Sequence, residues 1–377
     1  MTVIRDLVAD RVRIPFRRPF QTATAIWLER DTWLIRLFDA DGRVGLGEAV
    51  LEPDAADVAD TTLAALIREA ADGVRTGQLP SAAELDLNGA PRRALNAAID
   101  SARLDLDRPA ALPETAPDGD GVGVNATIPS LEASAAAEAE AARHSVESGF
   151  TTLKVKVGAE RETALLVERI RVIREAIGPD VRLRLDVNGA WDLATAEDRI
   201  LAVARFDIEY VEQPLASHDV DGLAELRRRV RVPIAADEAA ASVQAARALL
   251  AADAVDALVV KPARVGGPAA VAEIAELAAK RGVPVVISTQ FETGVGIAAA
   301  LAIAADLPEI LPDGWASPPD HGLATAGLLD HDLLEEPLIV VGGRMHAPSR
   351  PGSGGLGIVL DVRALDRFRA ESVGSVG

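Results

Sequence analysis

Three acidic residues draw attention because each ends a short apolar run: Asp186 after RLRL, Glu212 after IEYV and Asp237 after PIAA. Lys154 and Lys156 share one face of TLKVKV, two residues apart, and Lys261 ends ALVV. If these runs are neighbouring strands, about 4.8 Å apart, the carboxylates converge, and three like charges facing one point require a hard cation among them. An all-oxygen set with no cysteine or histidine nearby selects Mg2+ or Mn2+ over zinc. Asn188 and Glu238 are placed to support such ligands. A lysine facing inward must pair with a carboxylate or have its pKa lowered by desolvation and neighbouring cations, and a lowered pKa makes it a usable base. A metal flanked by lysines suits abstraction of a proton α to a carboxylate, with the enediolate charge stabilised electrostatically.

Positioning these groups requires a repeating scaffold. The polar residues at the ends of apolar runs recur at Lys156, Asp186, Glu212, Asp237, Lys261 and Ser288, with gaps of 30, 26, 25, 24 and 27 residues. That is the period of a strand plus a helix. No glycine-rich phosphate loop follows the first strand, so a closed barrel is favoured over a doubly wound sheet, and a barrel gathers these groups at one mouth. The eighth strand is expected around residues 309–316. Upstream, VRIPF, TWLIRLF and VGLGEAV read as strands, the last two joined by an Asp41-Gly42 hairpin turn. Residues 55–107 are patterned as helix, and ALPETAPDGDG at 111–121 reads as a linker. LGIVLD at 356–361 reads as a further strand returning to the N-terminal part. The class is α/β: a modified TIM (β/α) barrel over residues 123–337, with an α+β capping domain over residues 1–122 that the segment from about 338 to 377 completes.

Composition narrows the function. Lysine and arginine number 39 against 58 acidic residues, a net charge of −19, which repels nucleic acid and anionic lipid. No cysteine is present, so there is no disulfide and no thiolate site. The N-terminal stretch has no continuous apolar run, and the most apolar segment, 294–305, is too short to span a bilayer. The expectation is a cytoplasmic protein acting on a small-molecule carboxylate, with no nucleic-acid or membrane partner and with a homo-oligomer left open. The five histidines lack zinc spacing, and His321 alone is a candidate for the barrel rim.

TLKVKVG at 152–158, RLDVNGAW at 184–191, YVEQPL at 210–215, AADEA at 235–239 and VVKPARVGG at 259–267 resemble, in order and spacing, the motifs of the enolase superfamily and its muconate lactonizing subgroup. ALNAAIDSARLDL at 94–106 is similar to the helix that closes that family's capping domain, so the likeness covers nearly the whole chain. The resemblance implies Mg2+ ligands Asp186, Glu212 and Asp237, Lys156 as acid/base on one face and Lys261 on the other. It makes Lys154 a group that tunes Lys156 or touches the substrate carboxylate. VNATI at 124–128, STQFETGVGIAAALA at 288–302 and HGLATAGLL at 321–329 look most like o-succinylbenzoate synthases, with Asn188, Ser288, Glu292 and Thr293 as further substrate contacts. The implied reaction is dehydration of a succinyl-hydroxycyclohexadiene carboxylate in menaquinone synthesis. Alternatives within the subgroup are racemisation of N-acyl or N-succinyl amino acids, muconate cycloisomerisation and dipeptide epimerisation. A non-catalytic small-acid binding protein is the alternative outside enzymes. Dipeptide epimerases carry an Asp-x-Asp that is absent between Glu309 and Thr325, and PDGWASPPD at 312–320 departs from the family's usual length.

Overall fold

Within RLRLD, Leu183 and Leu185 are buried in the main apolar core, whereas Arg184 and Asp186, on the opposite face, are polar and completely buried. A strand buried on both faces, with polar side chains on one of them, belongs to a barrel whose inner face carries chemistry. The computed structural model describes residues 2–21, 26–52, 57–77, 89–108, 121–128, 134–312, 315, 317–346 and 355–374. All but the last residue of the sequence-expected linker at 111–121 lies outside them.

The capping sheet is formed by β1 (Ile4–Gln21), β2 (Ile26–Asp39) and β3 (Val44–Ala49). β2 and β3 pair antiparallel across the Asp41-Gly42 turn, as expected. Helices α1 (Asp57–Arg75) and α2 (Ala90–Asp107) cover this sheet, burying Leu7, Trp33, Ile35, Leu63, Ile67 and Ile99 together. α2 lies directly on β3 because Gly45 and Gly47 have no side chain. An added Cβ there would stand 2.0 Å from the Ala102 carbonyl oxygen and 1.9 Å from that of Ala98. This close approach sets where Glu48, between Gly47 and Ala49, meets the rest of the molecule.

After β4 (Val122–Gly123) comes the barrel: β5 (Ala126–Ile128), β6 (Thr152–Lys156), β7 (Arg182–Asp186), β8 (Ile208–Glu212), β9 (Ile234–Ala236), β10 (Ala257–Val260) and β11 (Val285–Ile287). These seven are parallel neighbours in sequence order. The intervening helices are α3 (Ala135–Glu147), α4 (Thr163–Ile177), α5 (Leu193–Val203), α6 (Val220–Arg229), α7 (Val243–Ala251), α8 (Pro262–Val265), α9 (Pro268–Ala279) and α10 (Gly294–Ala305). Several start on side-chain caps: Asp192 accepts from Thr195 N, Asp219 from Gly222 N, Ser242 from Ala245 N and Thr293 from Val295 N.

Two strand expectations are corrected. Among the described residues of 309–316 there is no strand. The barrel closes instead through His321 and Gly322, which bridge in parallel to Val124 on one side and Ser288 on the other. Within the 312–320 insert, Trp315 has the different task of filling the barrel interior. Trp315 stacks on Tyr210 at 6.0 Å and packs against the small inner cluster of Ala235, Ala257, Val259 and Val286. The small alanines leave space that the indole occupies. LGIVLD likewise forms only a single bridge, Leu334 to Leu360. The strand that returns to β1 is β14 (Arg369–Val373), which follows α11 (Val362–Phe368). Its residues pair with Ala9–Val12, and its backbone supplies an edge that no apolar run announces. The remaining sheet joins β4 to β12 (Val340–Val341) and β13 (Arg344–Met345).

Candidate active site

Strand register aligns the charged groups before any side chain is considered. Lys156 pairs with Asp186 across β6 and β7, and Asp186 with Glu212 across β7 and β8. Asp237 follows the end of β9 and Lys261 the end of β10. β6 and β10 are four strands apart, so in an eight-stranded barrel Lys156 and Lys261 stand on opposite sides of the mouth.

The side chains form one ionic network. Lys154 Nζ lies 3.0 Å from Glu212 Oε1 and 3.1 Å from Asp186 Oδ2. Lys156 Nζ lies 2.7 Å from the same Asp186 oxygen and donates to Asn188 Oδ1 at 2.8 Å, while Asn188 Nδ2 donates to Glu238 Oε1 at 3.0 Å. Across the mouth, Lys261 Nζ lies 2.7 Å from Asp237 Oδ2, the carboxylate pairing expected as one option for an inward lysine. Arg264 Nη1 holds the other Asp237 oxygen at 2.5 Å and also pairs with Glu52.

The acids respond differently to this shared burial. Burial opposes ionisation of Asp186, but Lys156 and Lys154 outweigh it and hold its carboxyl below the usual range. Burial likewise opposes charge on Asp237, and Arg264 with Lys261 overcomes it, bringing the group down to about 2. Glu212 goes the other way: burial, with Asp186 beside it, pushes it up to about 7. Its Oε2 is buried and has no hydrogen-bond partner. Lys154 is held well above its ordinary value, because Glu212 and Asp186 outweigh the burial that would lower it. Among the described residues, no three carboxylate or imidazole groups stand together as a ready metal-binding set. In this arrangement Lys154, Lys156 and Lys261 hold the acid oxygens instead. The orphaned Glu212 oxygen, set among like charges and hard oxygen donors, fits a divalent cation.

Lys154, Lys156, Asp186, Asn188, Glu212, Asp237 and Lys261 are thus brought together. Ser288 is buried at the end of β11, bridged to Gly322. Glu292 and Thr293 lie elsewhere, buried where the capping sheet meets α10, and Thr293 is committed to Glu48. Two residues beyond the expected set belong to the site. Gln213 Oε1 accepts from Asp237 N and Ala239 N, and its Nε2 donates to Leu215 O, so it fixes the backbone that aims Asp237. Arg264 lies three residues after Lys261, a spacing visible in VVKPARVGG.

Comparisons with known proteins agree with this geometry. Residues 136–364 match the family described as enolase C-terminal domain-like. The chain is 46% identical over 229 residues to an o-succinylbenzoate synthase of Thermobifida fusca, covering 60% of this chain and 67% of that one. Matches to the o-succinylbenzoate synthases span about two thirds of their length or less. An N-succinylamino acid racemase of Amycolatopsis is 29% identical over 360 residues, 91% of this chain and 92% of its own. The muconate lactonizing enzyme of Pseudomonas fluorescens, solved with muconolactone, superposes with a TM-score of 0.80 at 25% identity over 98% of this chain and 99% of that one.

Proposed function

The chain belongs to the enolase superfamily, in its muconate lactonizing subgroup, and on that premise we propose that it is an o-succinylbenzoate synthase, a lyase that dehydrates a succinyl-hydroxycyclohexadiene carboxylate. The observation that carries the reading is the placement of Lys156 and Lys261 on opposite sides of one buried carboxylate cluster. The substrate class follows the 46% identity to a synthase over 60% of the chain.

Asp186, Glu212 and Asp237 are the residues that would hold Mg2+, or Mn2+, and Glu212 Oε2 is the donor left free for it. When bound, the ion supplies positive charge that lowers the cost of negative charge on a substrate carboxylate. Lys156 takes the α-proton at Nζ, positioned by its hydrogen bond to Asn188. The same nitrogen then returns that proton to the β-hydroxyl as its C–O bond breaks, so water leaves and the ring double bond forms. Lys261, fixed by Asp237, stays charged on the other face and stabilises the carboxylate dianion that forms between these steps. Lys154, paired to Glu212 and to the same Asp186 oxygen that holds Lys156, places a second positive charge beside the base.

The full-length likeness to a racemase favours a second reading, in which Lys156 and Lys261 exchange protons with an N-succinyl amino acid in turn. One experiment separates them. The purified protein with Mg2+ is given the hydroxycyclohexadiene acid, followed by ultraviolet absorbance, and separately N-succinyl amino acids in heavy water, followed by NMR. Dehydration abolished by chelator and restored by Mg2+ is expected. Deuterium incorporation without dehydration would replace the synthase reading by the racemase one.

A further inference from the structure

Away from the ligand cluster, two buried carboxylates meet where the capping sheet closes on the barrel. Glu48 of β3 accepts from Thr293 N at 3.0 Å, Thr293 Oγ1 at 2.7 Å and Gly296 N at 3.0 Å. A side chain of the capping sheet therefore satisfies the open first turn of barrel helix α10. Thr293 ends the segment 288–293, which runs from β11 at the mouth into that helix. In the same segment Gln290 Nε2 donates to Glu52 at 2.8 Å, and Glu52 is the partner of Arg264, which holds Asp237. The segment is thus tied both to the cap and to the ligand cluster.

Glu292, also in this segment, accepts from Gln290 N. It stands against Glu48 at Gly296, where an added Cβ would lie 2.6 Å from Glu292 Cγ and 3.0 Å from Glu48 Oε2. Both line a cavity of about 20 Å³, roughly the room of one water. Ala97 and Ser101 of α2, Pro262 and Ala263 of α8 and Gly296, Ala299 and Ala300 of α10 complete its wall and bring no charge. The cationic group facing the two acids is Arg30 of β2, buried, with Nη2 donating to Leu51 O and Nε without a partner. The next acids out are compensated by their own arginines: Glu52 by Arg264 and Asp31 by Arg11 and Arg13. Two carboxylates therefore share one guanidinium, and one proton restores neutrality. Glu48, with three donors from the segment and helix, is the better site for the charge; Glu292 is the better site for the proton.

We propose that Glu48 is a positioning residue for the mouth segment 288–293 and that Glu292 carries the proton with which the capping sheet closes on it. Burial, with Glu48 next in effect, raises Glu292 to about 7. A raised carboxyl stabilises the closed contact below its ordinary value near 4.5, and that contribution is lost as pH rises through about 7. Closure is favoured on the acid side of neutrality and is loosened as pH passes through about 7.

Two readouts need no activity. The infrared spectrum at pH 6 should contain a protonated-carboxyl stretch that is absent from Glu292→Gln and lost by pH 9 in the wild type. Exchange of the Thr293 and Gly296 amides, corrected for the intrinsic rate, should lose protection between pH 6 and 8. A kinetic arm rests on the dehydration proposed above: KM should rise several-fold from pH 6 to 8 with kcat within about twofold, stay flat in Glu292→Gln, and be higher at every pH in Glu48→Gln. An infrared component unchanged in Glu292→Gln, amide protection constant to pH 9, or a KM rise surviving in Glu292→Gln overturns the proposal. If no dehydration is found, the activity reading falls, while infrared and exchange still decide this one.

Discussion

Two charged layers lie inside one barrel, two residues apart on the same strand faces, and they are built on opposite principles. The upper layer holds Asp186 and Glu212; the lower holds Arg184 and Tyr210, their register neighbours. Below, every charge has an opposite charge beside it, although Arg184 Nη2 is left without an acceptor. Arg184, fully buried, donates to Glu209 at 2.5 Å, to Asn125 Oδ1 at 3.1 Å and to Asp320 O at 2.8 Å, and lies 4.7 Å over the Tyr210 ring. Arg182 pairs with Glu209 and Asp320, and Thr152 closes the set on Asp320 at 2.6 Å. Above, Asp186, Glu212, Asp237, Glu238 and Glu52 face Lys154, Lys156, Lys261 and Arg264, and a buried Glu212 oxygen is left without a partner. The lower layer is a structural ion network; the upper is held short of one, with five acids facing four cations, as the proposed cation site requires.

The sharpest way to break this contrast is at Lys156. Lys156→Ala should lower kcat by about 10³-fold or more, with cation binding retained, since it removes the proton transfer itself. Lys156→Arg should do the same, because a guanidinium does not give up its proton; retention of more than a tenth of wild-type kcat would move the base to Lys261. Glu212→Gln should also abolish activity while raising the thermal midpoint measured without cation, because it removes a carboxylate whose burial beside Asp186 already disfavours charge. A midpoint that falls would mean the upper layer is as structural as the lower.

The lower layer should respond in reverse. Glu209→Gln strands the fully buried Arg184 and should cost about 3–5 kcal/mol by urea denaturation. At a temperature where the variant stays folded, kcat should remain within about twofold of wild type. A hundredfold loss of kcat without loss of stability would make the lower layer part of the chemistry.

The upper layer was legible in the sequence because each candidate ligand is the polar residue that closes a short strand motif, a pattern local enough to read one strand at a time. Gln213 and Arg264 sit inside the same motifs, and Arg264 carried a usable signal: one helical turn beyond Lys261, it must face the same mouth. Glu48 and Glu52 carried none, since their partners lie on α10 and α8, far along the chain, and only the docked cap brings them together. Thr293 was readable as something other than a substrate contact, because a threonine before GVGIAAA is a helix cap. The eighth strand escaped because two residues, His321 and Gly322, do its work without any apolar run. Charge of the right kind at the right period reveals a site; closure made by backbone pairing leaves little trace.

That closure point gives the smallest expected effect. His321 Nδ1 accepts from Ile287 N at 2.9 Å, so the imidazole must be neutral with its proton on Nε2, and it ties the closing segment to β11. Burial, with Arg184 nearby, holds its pKa down to about 4 from 6.5. The unfolded chain therefore takes up a proton near pH 6.5 that the folded chain refuses until about 4. This contribution is full above pH 6.5 and lost as pH falls toward 4, amounting to about 2 kcal/mol between pH 7 and 4.5. His321→Gln keeps an acceptor for Ile287 N but cannot titrate, so the acid loss of stability in urea titrations should shrink by about that amount, while the carboxylates' own acid dependence remains in both proteins. An equal acid loss in wild type and variant would mean that the imidazole is not what acid attacks at the seam. The barrel's weakest acid-side point would then lie among the ion pairs of Arg182 and Arg184, and the lower layer would be the pH-sensitive one.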